Sequence, residues 1–381
     1  MRTRTSLMPP VEETVRSIGQ EFIIDGEFIG GSEIEAGHIN VTYVARYLQM
    51  DGSERRYILQ CINGYVFKDP VAVVRNVERV TQHIAAKLEG SGEQYLKMYP
   101  ARRGGHFYED AKGRVWRCYN FIEGCRSYDV VESTEQAYEA ASAFGRFQDL
   151  VSDLDVASLV ETIPSFHHTP MRFARLMDRA ADDPIERLAG VVEEVQFLKD
   201  RKELGAELVS MMKGGLLPVR VTHNDTKLNN VMMDERSGQA VCVIDLDTVM
   251  PGLAAYDFGD LVRTATSAAA EDEQDLSKVE MRMPMFEALA RGYIKACPSL
   301  TAAEIHSLVT GCKVITLEVA IRFLTDYLEG DLYFKTEREG QNLDRVRVQI
   351  TLLKQMEERE AEMEEIVRRF ADSESCELTS N

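Results

Sequence analysis

The spacing of apolar residues changes from strand-like to helical about a third of the way along the chain. Across residues 20–63 apolar and polar positions alternate, most regularly at 41–47 and 57–61, and this period predicts two antiparallel strands. Asp51-Gly52 lies between them and predicts a hairpin turn, because both residues tolerate positive φ. The first part of the chain therefore contains a predicted β-hairpin.

A helix is predicted after this hairpin, where valines and other apolar residues recur at helical spacing from Asp69-Pro70 to residue 88. Two further strands are predicted near 95–100 and 115–122, since both segments are short, apolar and bounded by polar residues. Together these segments predict a small antiparallel sheet with one helix. We expect this lobe to end near Glu123-Gly124.

The remainder of the chain has mainly helical periodicity. Helices are predicted from a capping box at Ser133, across 184–212, from a second capping box at Thr301, and across 342–370. Short apolar strands at 219–222 and 241–244 interrupt this pattern. The sequence predicts a bilobed α+β fold with an N-terminal lobe at 1–124, a mainly helical C-terminal lobe at 125–371, and a flexible tail at 372–381.

Composition narrows the possible functions. The 381 residues suit two domains, and a formal net charge of −19 disfavours sequence-independent binding to nucleic acid or anionic membrane. The seven cysteines are odd in number and include no C-x-x-C pair, so a zinc site or disulfide framework is not expected. No signal peptide or membrane span is evident in the sequence, which predicts a cytoplasmic protein.

A polar segment, VRVTHNDTKLNNVMM at 219–233, lies between two apolar runs, and VIDLD follows it. Asp225 and Asn230 are five residues apart, so they can face one site from two sides of a tight loop. Asp245 lies fifteen residues after Asn230, at the end of an apolar strand. A carboxylate that orients a hydroxyl, oxygen ligands for Mg²⁺, and a nearby cation are what phosphoryl transfer requires.

This spacing resembles the catalytic and metal-binding loops of the protein-kinase-like fold, in particular the aminoglycoside phosphotransferase superfamily. Within it the chain is similar to the N-acetylhexosamine 1-kinases, which form sugar 1-phosphates from ATP. The stretches that carry this similarity are GHINVTY, YILQCIN, VFKDP, NFIEG, IDLDTVMPG, YDFGDLVR and RFLTDYLEGDLYF. The resemblance implies an ATP- and Mg²⁺-dependent kinase whose partner is a small sugar.

The resemblance also implies roles for the loop residues. Asp225 would be the catalytic base for the anomeric hydroxyl, and Lys227 would neutralise charge on the transferred phosphoryl group. Asn230 and Asp245 would hold Mg²⁺, and His223 would support the loop through hydrogen bonds. Asp257 and Asp260 are open to a functional or a structural role, the latter with Arg263 as an ion-pair partner.

The nucleotide would contact the phosphate loop, the third strand and the hinge; the candidates are Gly37, Asn40, Gln60, Asn120, Ile122 and Glu123. Related kinases carry a Lys on the third strand, often paired with a helix Glu, and a basic residue is expected where Cys61 stands. Glu78 is the candidate helix acid. The acceptor would be bound by His38, Asp225, Arg322 and Tyr333.

Two other functions remain open. The chain could phosphorylate a different small hydroxyl acceptor, such as another sugar, an amino alcohol or an aminoglycoside. It could also be a catalytically weak nucleotide-binding regulator, for which Gln60-Cys61 is the supporting feature. An acidic acceptor pocket would favour a cationic acceptor, whereas a neutral polar pocket with Arg322 and His38 would favour a sugar.

Overall fold

The structure, a computed structural model, describes residues 11–34 and 39–378, with side chains up to residue 372. The chain divides into two compact units. The N-terminal unit extends through Cys125 and includes the later segment Leu246–Thr248; the C-terminal unit comprises Arg126–Asp245 and the chain from Val249 onward. The fold is the predicted α+β class, with an antiparallel N-terminal sheet and a mainly helical C-terminal part.

The N-terminal unit is built on a five-stranded sheet with the order β1-β2-β3-β5-β4, and its neighbouring strands are antiparallel. The predicted hairpin and helix are confirmed, with Asp69 capping the helix by accepting a hydrogen bond from the N–H of Ala72. The elements are α1 (Val11–Gly19), β1 (Glu27–Ile34), β2 (Val41–Leu48), β3 (Glu54–Cys61), α2 (Pro70–Leu88), β4 (Tyr108–Glu109) and β5 (Val115–Asn120).

The prediction of a strand at 95–100 is wrong. This segment runs beside β5, but only the bridge between Met98 and Tyr119 is formed. The Asn120 side chain takes the neighbouring positions: its Nδ2 donates to the carbonyl of Tyr95, and its Oδ1 accepts from the N–H of Lys97. A side chain thus replaces part of the strand ladder, which sequence alternation cannot reveal.

The two faces of this sheet have different chemistry. Leu59 and Cys61 of β3 belong to an apolar cluster with residues of α1, so this face is a hydrophobic core. Gln60 lies between them on β3 and is paired in register with Arg117 of β5. Because successive strand residues point to opposite faces, Gln60 and Arg117 lie on the other face.

The C-terminal unit contains the remaining helices and two short pairs of strands, β7 with β10 and β8 with β9, both antiparallel. Its elements follow β6 (Cys125–Arg126) and are α3 (Thr134–Leu150), α4 (Thr169–Asp182), α5 (Val192–Lys199), α6 (Lys202–Lys213), β7 (Arg220–Thr222), β8 (Val231–Asp234), β9 (Ala240–Val243), β10 (Met250–Gly252), α7 (Ala254–Ala265), α8 (Met283–Ala296), α9 (Ala302–Glu329), α10 (Gln341–Glu358) and α11 (Glu360–Leu378). Short 3₁₀ turns lie at Val156–Ser158, Leu188–Gly190, Leu228–Asn230 and Leu276–Lys278, and a fifth, Leu246–Thr248, belongs to the N-terminal unit.

Two helices predicted as continuous are divided in the structure. The segment 184–212 forms α5 and α6, and the segment 342–370 forms α10 followed by α11. Arg201 explains the first break: its Nη1 donates to the carbonyl of Phe197, and its guanidinium forms a bidentate ion pair with Glu357. The side chain caps the end of α5 and fixes the turn through a contact distant in sequence.

Helix α9 is the central element of the C-terminal unit, and most of its residues are buried. Its predicted start is confirmed, since Thr301 and Glu304 form a complete capping box. Helix α7 packs closely on it, and Gly259 and Gly311 leave the room that this approach needs. No helix in the described part of the chain is both long and apolar enough to cross a bilayer.

Candidate active site

Strand β7 leads into a loop whose backbone is held in an unusual conformation. His223 is fully buried, with its ring edge-on to Phe144 and Phe147 of α3. The next residue, Asn224, has φ of 65°, in the left-handed region that non-glycine residues rarely adopt. The N–H of Asp225 donates to His223 Nδ1 at 3.3 Å, and His223 Nε2 lies 3.0 Å from the carbonyl of Ile244. His223 therefore supports the loop through hydrogen bonds.

Asp257, on α7, holds the same loop in place through hydrogen bonds. Its carboxylate accepts the N–H of His223 at 2.8 Å and the N–H of Asn224 at 2.7 Å. Its backbone carbonyl also accepts the hydroxyl of Thr226. Burial raises the pKa of Asp257, although the nearby His223 and the two N–H donors oppose this shift. Asp257 has a structural role: it sets the position of the residues around Asp225.

The five-residue spacing of Asp225 and Asn230 is closed by the 3₁₀ turn Leu228–Asn230. Asn230 Nδ2 donates to the backbone carbonyl of Asp225 at 2.8 Å and to its Oδ2 at 3.0 Å. Lys227 Nζ lies 3.1 Å from the same Oδ2. The carboxylate is partly exposed, whereas Asn230 is buried. The loop thus presents an oriented carboxylate with a cation beside it.

Lys227 retains its charge in this setting. Burial lowers the pKa of Lys227, but the carboxylates of Asp225, Asp245 and Asp260 outweigh that effect, and the pKa is raised overall. A raised pKa keeps the ammonium protonated at neutral pH. Lys227 can therefore stabilise negative charge that develops near Asp225.

Asp245 follows β9 and is exposed. Its φ of 59° is again left-handed. The N–H of Ile244 donates to the carbonyl of Asn230 at 2.8 Å, so Asn230 and Asp245 are carried by backbone segments that are bonded to each other. An amide oxygen and a carboxylate fit the protein share of a Mg²⁺ site, where waters and phosphates supply other ligands. No group of three or more His, Cys, Asp or Glu side chains suited to a metal occurs among the described residues.

Asp260 has the structural partner that the sequence analysis left open. Arg263 Nη2 lies 2.8 Å from Asp260 Oδ1, and Arg263 also pairs with Glu271. The expected ion pair between Arg263 and one of the two α7 aspartates is confirmed. The second ion pair, between Arg263 and Glu271, ties α7 to the segment that follows it.

Arg322 and Tyr333, the acceptor candidates of this unit, line one surface pocket. The Arg322 guanidinium lies 5.1 Å from the Phe166 ring centre and 5.5 Å from that of Phe334. Across the part of the chain that the structure describes, Arg322 forms no hydrogen bond or ion pair. The other residues that line this pocket, not predicted from the sequence, are Arg172, Arg175, Thr325, Asp326, Glu329 and Phe334.

A short chain of contacts connects this pocket with the loop that carries Asp225. His167 Nε2 lies 3.4 Å from the carbonyl of Asn224, the residue before Asp225. His167 Nδ1 lies 2.8 Å from Glu318 Oε1, and Glu318 precedes Arg322 by one helical turn of α9. The contact of His167 with the loop could not be read from the sequence, because it joins positions 57 residues apart.

The nucleotide candidates lie in the N-terminal unit. Gly37 falls outside the described residues, and so does the acceptor candidate His38. Asn40 Nδ2 donates to Asp247 Oδ2 at 2.6 Å, and Gln60 accepts hydrogen bonds from Arg117. Cys61 points into the apolar cluster, where burial raises the pKa of its thiol.

Glu78 does not pair with the third strand. Its Oε1 lies 2.7 Å from His106 Nδ1, on the segment that leads to β4. The partner of Glu78, which the sequence left unknown, is therefore His106 and not a cation on the third strand.

The hinge candidates differ in what they offer to a ligand. The Asn120 side chain is engaged with residues 95 and 97, and Glu123 forms a bidentate ion pair with Arg56. Ile122 is buried. Over residues 39–372, the backbone N–H groups of Ile122 and Glu123 form no hydrogen bond. The backbone N–H groups therefore fit the predicted contact with an adenine edge better than the side chains do.

Solved structures share this fold at low sequence identity. An aminoglycoside phosphotransferase from Alicyclobacillus acidocaldarius matches with a TM-score of 0.62 and 11% identity, covering 96% of this chain and 99% of the other. A microcompartment-associated aminopropanol kinase matches with a TM-score of 0.59 and 16% identity, covering 92% and 98%. Amicoumacin kinase, in complex with AMP-PNP, Ca²⁺ and Ami, matches with a TM-score of 0.55 and 14% identity, covering 91% and 94%.

The sequence comparison goes further than the fold. The sequence model described as the phosphotransferase enzyme family matches residues 31–291, which is more than half of the chain. The match includes Asp225, Asn230 and Asp245. The arrangement of the loop around Asp225 and this match agree, and the chain belongs to the phosphotransferase enzyme family.

Proposed function

We propose that this phosphotransferase transfers the γ-phosphoryl group of ATP to the anomeric hydroxyl of an N-acetylhexosamine and forms the sugar 1-phosphate. Asp225 would hold and deprotonate the hydroxyl, and Lys227 would offset the charge of the transferred group. When Mg²⁺ is bound, Asn230 and Asp245 would hold it, and the ion would supply charge neutralisation on the phosphates.

The charge balance of the Arg322 pocket is the observation that supports a sugar as the acceptor. Its carboxylates are already used: Asp326 accepts the N–H groups of Leu332, Tyr333 and Phe334. Glu329 forms a bidentate pair with Arg175. Arg322, in contrast, has donors to offer and is held by two aromatic rings.

Such a pocket suits an acceptor that is rich in oxygen. Hydroxyl and acetamido oxygens can accept from a guanidinium, and the exposed Tyr333 ring can face a sugar. A cationic acceptor, such as a quaternary ammonium or an aminoglycoside, would be repelled by the pocket arginines. It would also find both pocket carboxylates already engaged by other groups. The His167 contact with the carbonyl before Asp225 supports the placement of this pocket beside the predicted base.

A kinase for another acceptor is the main alternative. An aminopropanol kinase and amicoumacin kinase share the fold, so the fold does not choose among amino alcohols, antibiotics and sugars. The AMP-PNP in the amicoumacin kinase complex supports the choice of an adenine nucleotide as donor. A catalytically weak regulator is less well supported, because Asp225, Asn230 and Asp245 are all present and the loop around them is ordered by hydrogen bonds.

The test is release of ADP from MgATP over a panel of acceptors that includes N-acetylglucosamine, N-acetylgalactosamine, glucose, galactose, choline and an aminoglycoside. We expect turnover confined to the acetylated hexosamines, with the phosphate on the anomeric carbon by NMR. Arg322→Ala should raise the acceptor KM with little change in the KM for ATP. Preferred turnover of choline or the aminoglycoside would overturn the proposal.

A further inference from the structure

A buried polar network lies on the face of the N-terminal sheet opposite the apolar cluster. Arg117 of β5 is 0% exposed, and Asp247 is 4% exposed. The Arg117 guanidinium donates to Gln60 Oε1 through Nε at 3.0 Å and Nη2 at 2.6 Å, and it forms an ion pair with Asp247. Gln60 is held in turn by Thr42, whose hydroxyl accepts from its Nε2 at 3.1 Å.

Asp247 also accepts a hydrogen bond from a residue of the predicted phosphate loop. Asn40 belongs to that loop, and its Nδ2 donates to Asp247 Oδ2 at 2.6 Å. The Oδ1 of Asn40 accepts the N–H of Asn63, and the Nδ2 of Asn63 donates to the carbonyl of Ile39. Asp247 therefore forms an ion pair with a strand arginine through Oδ1 and accepts a hydrogen bond from Asn40 through Oδ2.

The sequence position of Asp247 connects this network to the predicted Mg²⁺ ligand. Asp247 lies two residues after Asp245, the predicted Mg²⁺ ligand, and Asp245 has a left-handed backbone that needs support. The positions where a strand cation and a helix acid were expected do not supply such a pair. Cys61 lies in the apolar cluster, and Glu78 pairs with His106.

We propose that Arg117 is a positioning residue for metal and phosphate binding, which acts through Asp247 in place of the expected cation on the third strand. A guanidinium stays charged and donates in a fixed planar fork, so it can hold Gln60 and Asp247 at the same time. The fixed Asp247 restrains the backbone that carries Asp245 and the loop end that carries Asn40. The proposal depends on phosphotransferase activity and on the predicted role of Asp245, and it is independent of the acceptor.

The test compares full-length Arg117→Lys, Arg117→Gln and Asp247→Asn with wild type by calorimetric titration with ATP, in the presence and absence of Mg²⁺. In Arg117→Gln and Asp247→Asn we expect the gain in ATP affinity due to Mg²⁺ to fall by about tenfold or more, as for other residues that support a metal ligand. Affinity for metal-free ATP should change much less, and Arg117→Lys should restore part of the loss, because it retains the charge.

Kinetics with the best acceptor of the panel provide the second measurement. The Mg²⁺ concentration for half-maximal rate should rise in the same variants, while the acceptor KM stays near the wild-type value. Arg201→Gln is the matched control, since it breaks an ion pair with Glu357 in the other unit and should lower stability alone. If Arg117→Gln and Asp247→Asn lower only the melting temperature, as Arg201→Gln does, the proposal is wrong. Titration with ATP needs no turnover, so failure of the acceptor assignment would not mimic this outcome.

Discussion

Two polar residues at the candidate site adopt left-handed backbone conformations. Asn224 and Asp245 have φ of 65° and 59° and immediately precede Asp225 and Leu246. Asn and Asp tolerate this region better than other residues, but each still costs free energy unless its surroundings hold it. Asp257 and the pairing of Asn230 with Ile244 hold these backbones. Of the two, Asp245 is the predicted Mg²⁺ ligand, and Asn224 directly precedes the predicted base Asp225.

Asp225→Asn tests the assigned base. We expect kcat to fall by about 10²–10⁴-fold, because an amide cannot accept the proton of the attacking hydroxyl. The affinity for MgATP should stay near that of wild type, since Asn230 and Asp245 are retained. Quench-flow or coupled ADP assays measure the first effect, and calorimetry measures the second. An active Asp225→Asn enzyme would refute the assignment.

Glu318→Gln tests the buried ion pair between Glu318 and His167, which lies near the Arg322 pocket. Burial raises the pKa of Glu318, but His167, Arg322 and the hydroxyl of Thr169 outweigh it, so the pKa lies below its ordinary value of 4.5. A depressed carboxyl pKa contributes stability that is present above that ordinary value and is lost as pH falls through the folded-state pKa. The variant should therefore be less stable than wild type by about 1–3 kcal/mol at pH 7.

The pH dependence distinguishes this role from simple packing. Urea denaturation of wild type and Glu318→Gln should show a stability difference that is constant near neutral pH and shrinks as the pH falls below 4.5. A difference that is the same at acid and neutral pH would mean that the charge of Glu318 contributes nothing.

At the scale of elements, α9 organises the C-terminal unit. One turn separates Glu318, which contacts His167, from Arg322, which lines the pocket. Earlier in the same helix, Gly311 lies against the backbone of Ala255 on α7, the helix that supplies Asp257 to the loop. A change in the packing of α7 on α9 should thus displace residues of both the Asp225 loop and the Arg322 pocket.

Gly311→Ala tests this packing. A Cβ at residue 311 would overlap the carbonyl and the Cβ of Ala255, so the helices would have to separate. We expect a loss of about 1–3 kcal/mol of stability, as for other overpacked interiors. Gly190→Ala is the control, because a Cβ there meets no atom within 4 Å. Thermal or urea unfolding of both variants decides the point; equal stability would show that α7 and α9 adjust without cost.

At the scale of the whole molecule, an acidic net charge coexists with individual cations at the candidate site. The chain carries 63 Asp and Glu against 44 Lys and Arg, yet Lys227 and the pocket arginines occupy the candidate site. Local cations can attract phosphate or oxygen-rich ligands within an acidic protein, because screening in water limits the reach of distant charges. Net charge therefore bears on the prediction that nucleic acid and anionic membranes are not partners, and it does not identify the small ligand.

The sequence alone determined the fold class, the family and most secondary structure. Alternating and helical periods located the β2–β3 hairpin, α2, α3 and the start of α9, because these signals are local and lie within each element. The joint spacing of Asp225, Asn230 and Asp245 identified the phosphotransferase chemistry, because that spacing is set by a tight loop and the strand after it. The roles of the individual site residues remain predictions.

The tertiary structure decided which side chains meet. Three features join residues distant in sequence: the Asn120 contacts that replace a strand at 95–100, the helix break at Arg201, and the contact of His167 with the loop that carries Asp225. Pairing of β3 with β5 placed Gln60 and Arg117 together and turned Cys61 toward the core. Local propensity and motif spacing act over a few residues, whereas strand register and helix packing bring distant residues together; only the folded chain could show that Arg117 pairs with Asp247.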